Sequence, residues 1–138
     1  MPAAAKIIAD YQKKHRCYPS KVAVVFWTTE TLRHEGINEC TILNLMGIRP
    51  KWSKTGRVTG VEAIPVRLLK RPRIDVMVNA SGLYRDLFPD KLEFIDDAVR
   101  LALRQADIEN LIARGTWRLK RKLLAAGTTY AVGLKYVF

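Results

Sequence analysis

The sequence predicts an α/β fold: a small, mostly parallel sheet flanked by helices, with a helical C-terminal part. Three observations carry that prediction. Two apolar runs rich in β-branched residues, Lys21-Val-Ala-Val-Val-Phe-Trp27 and Ile74-Asp-Val-Met-Val-Asn79, read as interior strands covered on both faces. Stretches with helical periodicity precede, separate and follow them. A chain of 138 residues, 49% of them hydrophobic, suits one globular domain around a single core and excludes a disordered chain.

Taken in order, residues 3–14 form an Ala-rich first helix that ends before Tyr18-Pro19, because a residue preceding proline is pushed away from helical angles. The first strand follows, and residues 28–36 read as a polar loop leaving it. Residues 37–46 are the next helix, with Asn38 as N-cap, Gly47 as stop, and Ile42, Leu45 and Met46 on one face. Residues 48–52 are a short strand, Lys54-Thr55-Gly56 its turn, and residues 58–64 an extended segment interrupted by Gly60 and closed by Pro65. A basic stretch, residues 67–73, leads to the second interior strand and its Ser81-Gly82 turn. Pro89 and Asp90 open a helix striped by Leu92, Ile95, Val99 and Leu103, acidic early and basic late as the helix dipole favours. Residues 107–126 form the last helix, which Gly127 terminates, and the apolar residues 130–138 read as a chain cut inside a larger protein. Trp27, Trp52 and Trp117 are expected in the core.

The formal net charge of +11 favours polyanionic partners: nucleic acid, an anionic membrane, acidic protein surfaces, or a carboxylate-rich small molecule. The plain alternative is a solvated basic face. No apolar run reaches the ~18 residues of a membrane span, and the start lacks the apolar centre of a secretory signal. Cys17 and Cys40 have no zinc spacing and read as reduced thiols of a cytoplasmic protein. Neither a phosphate-binding GxxxxGK loop nor GxGxxG or GxSxG occurs.

Ligands of open α/β sheets sit beyond the carboxyl ends of the strands, so the segments after the two strong strands are the candidate site. In the first, Glu30, His34 and Glu35 are groups able to move protons or to ligate a divalent metal, and Arg33 is a candidate substrate contact. The plain reading has Glu30 paired with Arg33 on the surface. In the second, residues 79–89, Ser81 and Arg85 are candidate substrate contacts, since the planar guanidinium suits a carboxylate, and Asp86 is a candidate proton carrier. A simple Arg85–Asp86 ion pair bracing the loop is the competing reading. No metal ligand set is assigned.

Several blocks carry a family resemblance. Val24-Val-Phe-Trp-Thr-Thr-Glu-Thr-Leu-Arg33, the helix ending Leu45-Met-Gly-Ile-Arg-Pro50, and Gly56-Arg-Val-Thr-Gly-Val-Glu-Ala-Ile-Pro65 are three of them. The sharpest is Arg71-Pro-Arg-Ile-Asp-Val-Met-Val-Asn-Ala-Ser-Gly82 followed by Tyr84-Arg-Asp-Leu-Phe-Pro89. In order and spacing these resemble consecutive blocks of the large subunits of cobaltochelatase (CobN) and magnesium chelatase. The resemblance implies an internal segment of a much longer subunit that binds a tetrapyrrole and inserts cobalt or magnesium, as substrate, during cobalamin or chlorophyll synthesis. It implies no cofactor held tightly by this chain, ATP hydrolysis by separate AAA+ partner subunits, and no turnover by the segment alone. Metal insertion strips water from the ion and removes pyrrolic protons, work that carboxylates and histidine can do. Glu30, Arg33, Arg85 and Asp86 fall inside matching blocks. Two departures stand out: Gly115 replaces the histidine of a Glu-Asn-Phe-Val-x-Lys/Arg-His pattern, and Thr41 stands where many members carry glutamine. A basic interaction module without chemistry is the alternative, and a nucleic-acid-binding domain, lacking any signature of one, ranks behind both.

Overall fold

The computed structural model describes residues 2–34 and 36–125. Helix α1 (Pro2–His15) is Ala-rich, ends in Lys13, Lys14 and His15, and stops where Arg16 turns to φ 56°. Ala4 and Ile8, one helical turn apart, are its buried positions and lie against α3. His15 stacks on Tyr11 with ring centroids 4.2 Å apart.

Strands β1 (Lys21–Phe26) and β4 (Asp75–Ala80) pair in parallel, from Lys21 opposite Asp75 to Phe26 opposite Ala80. Their inward positions, including Phe26, Val76, Val78 and Ala80, are buried in the core. The expectation of strands covered on both faces fails for the described residues: on the outward face Val25 and Met77 are exposed. An apolar run fixes strand propensity, but what covers each face depends on the rest of the fold.

Between these strands the chain builds a second, antiparallel sheet, so the α/β class holds with one parallel pair and one hairpin. Helix α2 (Thr28–His34) comes first, then α3 (Ile37–Leu45) and the hairpin β2 (Ile48–Trp52) and β3 (Val58–Ala63). The segment after β1, expected as a loop, is therefore mostly helical; seven residues are too few for periodicity to reveal. The N-cap of α3 is Gly36 at φ 94°, not Asn38, and no side chain caps it. Gly47, at φ 72°, does end α3. It is also where the chain passes closest to a neighbour: a Cβ there would lie 2.5 Å from Arg73 Nη1 and 2.8 Å from Leu69 Cδ2.

Part of the basic stretch after Pro65 is a short helix, α4 (Val66–Leu69). The last two arginines of that stretch turn inward. The C-terminal end of α3 leaves carbonyls without helical partners, and guanidinium groups satisfy them. Arg71 donates to Leu45 O at 3.0 Å and to Asn44 O. Arg73, fully buried, donates to Gly47 O at 2.7 Å and Ile64 O at 3.2 Å, and pairs with Asp107 at 3.0 Å.

Helices α5 (Gly82–Leu87), α6 (Pro89–Leu103) and α7 (Leu111–Ala125) complete the described chain. Helix α6 starts at Pro89 as expected and buries Leu92, Ile95 and Val99; Leu103 is half-buried at the margin of the core. Helix α7 starts at Leu111, four residues later than residue 107, because Asn110 caps it: its Oδ1 accepts from Ile112 N and Ala113 N, each at 3.1 Å. Its Nδ2 donates back to Ala102 O and Gln105 O, tying α7 to the end of α6. Gly127 and residues 130–138 lie outside the described residues. The three tryptophans are not core: Trp27, Trp52 and Trp117 are 63%, 62% and 63% exposed, each with an apolar ring available to a partner. Both cysteines are free, Cys17 at the surface and Cys40 half-buried. Among the described residues no helix is long and apolar enough to cross a membrane.

Candidate functional site

The carboxyl ends of β1 and β4 lie side by side, since Phe26 is in register with Ala80. Each strand runs straight into a short helix, α2 from β1 and α5 from β4. Thr28 Oγ1 and Ser81 Oγ, the first polar side chains beyond the strands, meet at 3.3 Å and tie the two exits together. Ser81 also caps α5, accepting from Tyr84 N at 3.1 Å. The Ser81-Gly82 segment, expected as a turn, is thus the start of a helix, with the Ser81 hydroxyl bonded to the Tyr84 amide and to Thr28.

On α2 the spacings of three and four residues put Glu30, Arg33 and His34 on one helical face. Glu30 Oε2 is 2.9 Å from His34 Nε2, and Oε1 accepts from Arg33 at 3.5 Å. The surface pairing of Glu30 with Arg33 is therefore present, together with a shorter contact to the imidazole. All three side chains are well exposed, Arg33 most at 73%. Glu35 lies outside the described residues. On α5, Arg85 Nε approaches Asp86 Oδ1 at 3.4 Å, so the bracing ion pair is also present, again at the surface. An exposed pair of this kind contributes at most about 1 kcal/mol and yields easily to a competing anion or cation.

Beneath these surface groups lies a buried set that sequence reasoning misses. Tyr84 of α5, fully buried, stacks on Phe26 at the end of β1 with centroids 4.8 Å apart. Its hydroxyl donates to Glu39 Oε1 at 2.7 Å, and Lys91 Nζ of α6 reaches the same oxygen at 3.3 Å. A signal exists: Glu39 stands three residues before Ile42 and seven before Met46, on the apolar stripe of α3. An acid on the buried stripe needs a partner, and here it has a phenol and an ammonium. Burial pushes the neighbouring Cys40 thiol up, the Glu39 charge adding to the effect.

Among the described residues no group of three or more His, Cys, Asp and Glu side chains is gathered as a metal site. Glu30 and His34, in contact at 2.9 Å, are a carboxylate–imidazole pair of the kind that can touch a divalent ion. At the other end of the strands, Gly115 on α7 borders a cleft of about 230 Å³ that also contains Lys21 and Asp75, themselves 3.2 Å apart. Thr41, the other departure, is buried with its hydroxyl donating to Ile37 O at 2.8 Å.

A family model for the CobN/magnesium-chelatase proteins matches residues 1–134. The chain belongs to that family. The CobN/magnesium-chelatase assignment is supported by individual relatives. The aerobic cobaltochelatase subunit CobN of a Sinorhizobium species is 36% identical over 94% of the chain, which covers 10% of that protein. The chloroplastic magnesium-chelatase subunit ChlH of Oryza sativa subsp. indica is 37% identical over 68% of the chain and 7% of its own length. The solved catalytic subunit of cobaltochelatase from Mycobacterium tuberculosis superposes with a TM-score of 0.78 at 33% identity, across 90% of this chain and 11% of that one. The chain thus spans about a tenth of the CobN-type relatives it matches.

Proposed function

We propose that this chain is a substrate-handling segment of a metal-chelatase large subunit, acting on a tetrapyrrole and inserting cobalt or magnesium. The observation that supports it best is the family match over nearly the whole chain, residues 1–134, coinciding with an α/β site of exposed acid, imidazole and guanidinium groups. In this reading Arg33 and Arg85 hold carboxylates at the ring edge, an anion geometry that guanidinium groups match. Glu30 with His34, Glu35 and Asp86 take protons from the ring or hand over the incoming ion. Ser81 and Thr28 keep the two strand exits at a fixed separation, a positioning role. The rest of the large subunit completes the site. ATP is used by AAA+ partner subunits, in keeping with the lack of a GxxxxGK loop here. The metal is substrate, and no tightly bound cofactor belongs to this segment.

The test is a titration of a Trp52→Phe/Trp117→Phe chain, which leaves Trp27 at the end of β1 as the reporter, with hydrogenobyrinic acid a,c-diamide and with protoporphyrin. The reading expects saturable quenching by at least one of them. Absence of quenching, together with tight DNA binding that falls steeply with salt, would instead make the charge of +11 a nucleic-acid footprint.

A further inference from the structure

The buried set under the strand exits has an unbalanced member. Tyr84 and Lys91 both serve Glu39 Oε1. The other oxygen, Oε2, is buried without a hydrogen-bond partner among the described residues, in a residue only 4% exposed. A buried carboxylate oxygen lacking a donor is costly and is rarely left so.

Glu39 borders a cleft of about 350 Å³, within the usual range for small-molecule sites (roughly 300–1,000 Å³). The facing walls are mostly apolar, Pro50, Trp52 and Val58 from the hairpin and Phe94 from α6, with Asp90 of α6 also on the lining. Trp52 and Val58 are exposed, so this wall is not covered by the described fold. Gly36 forms part of the rim, and a Cβ there would lie 3.9 Å from both Glu39 Oε2 and Lys91 Nζ. Gly36 therefore marks the approach to both charges.

The occupant must be apolar over most of its surface and must donate a hydrogen bond. A metal ion fits poorly, because the Lys91 ammonium sits beside the carboxylate and no third ligand is gathered among the described residues. A flat ring bearing an N–H meets both demands: its faces pack on Trp52 and Phe94 while the N–H reaches the carboxylate. Building on the chelatase reading, we infer that this cleft holds the edge of a pyrrolic ring system, one ring N–H donating to Glu39 Oε2. Tyr84 and Lys91 are positioning residues that hold the carboxylate in place through Oε1. The hairpin, which the parallel pair does not need for its own hydrogen bonds, supplies the stacking wall.

The probes are 5-phenyldipyrromethane and its N,N′-dimethyl derivative, titrated into a Trp27→Phe/Trp117→Phe chain in which Trp52 is the reporter. Cys40 borders the cleft and Cys17 is exposed elsewhere, so alkylation of Cys40 against Cys17 gives a second readout. The expected result is quenching of Trp52 and protection of Cys40 by the N–H compound, at least tenfold weaker binding of the N-methylated one, and about tenfold loss in Glu39→Gln measured on the folded variant. Equal affinity for the two compounds, or no response of Trp52 and Cys40, overturns the proposal. If Glu39→Gln does not fold, the comparison of the two compounds on the chain with Glu39 intact decides alone. Failure of the dipyrromethane with continued tetrapyrrole quenching of Trp27 removes this site and leaves the chelatase reading. Dipyrromethane binding without any tetrapyrrole response does the reverse.

Discussion

Arginines and acids occur at both ends of the parallel strand pair, and the two ends use them differently. At the amino end of β4, Arg73 is fully buried and its guanidinium is shared among Gly47 O, Ile64 O and Asp107. At the carboxyl end, Arg33 and Asp86 are 73% and 67% exposed and pair with Glu30 and Arg85 on their own short helices. The same residue types are consumed by the fold at one end and remain displaceable at the other. Net charge alone hides this division. A charge already satisfied by several buried carbonyls has nothing left for a ligand, whereas a surface pair can exchange its partner at little cost.

The largest expected effect breaks the amino end. Arg73→Met strands the carbonyls at the end of α3 and the Asp107 charge, and is expected to cost about 3–5 kcal/mol in urea unfolding. Gly47→Ala forces a Cβ to 2.5 Å from Arg73 Nη1 in a left-handed conformation, and at least about 2 kcal/mol should be lost in the same measurement. The Arg73 hydrogen bonds hold the Asp107 carboxyl below the usual carboxylate range. A depressed folded pKa gives stability that is present in full above the ordinary value and is lost as pH falls through the folded one. Asp107→Asn should therefore flatten the acid limb of the melting temperature against pH below about 4, the ordinary carboxylate region. Ser81→Ala removes the cap of α5 and the link to Thr28, and about 1 kcal/mol should go, read by thermal melting. Smallest of all, Glu30→Gln and Arg85→Ala should change stability by less than about 0.5 kcal/mol, because their pairs are exposed.

Much of this division is legible in the sequence, and the remainder has physical reasons for being hidden. The two strands, the helix stopped by Gly47, the Lys54-Thr55-Gly56 turn and the helix opened by Pro89 follow from local rules of propensity and capping. Helices α2 and α5 read as loops because neither is long enough to show a period. Arg71 and Arg73 read as a basic run, since nothing local says that α3 would present its carbonyls to them. Residue type alone puts the tryptophans in the core, but each lies on a face that the described fold leaves open. Glu30, Arg33, His34 and the Arg85–Asp86 pair stand out because they follow strong strands, and the structure groups the first three on one helical face. Glu39 is the missed residue of most consequence. Its position on an apolar stripe is visible, yet its partners Tyr84 and Lys91 are 45 and 52 residues away and only the fold brings them in.

The central claim is that the displaceable arginines at the carboxyl end contact the ligand's carboxylates and the buried arginines at the amino end do not. The most direct measurement is tetrapyrrole affinity by Trp27 quenching in an Arg33→Ala/Arg85→Ala chain, with an Arg114→Ala/Arg118→Ala chain as a control of equal charge. The account predicts at least a tenfold loss in the first, an unchanged melting temperature in both, and little change of affinity in the second. Equal losses in the two chains would contradict it, because binding would then follow net charge and not the strand exits.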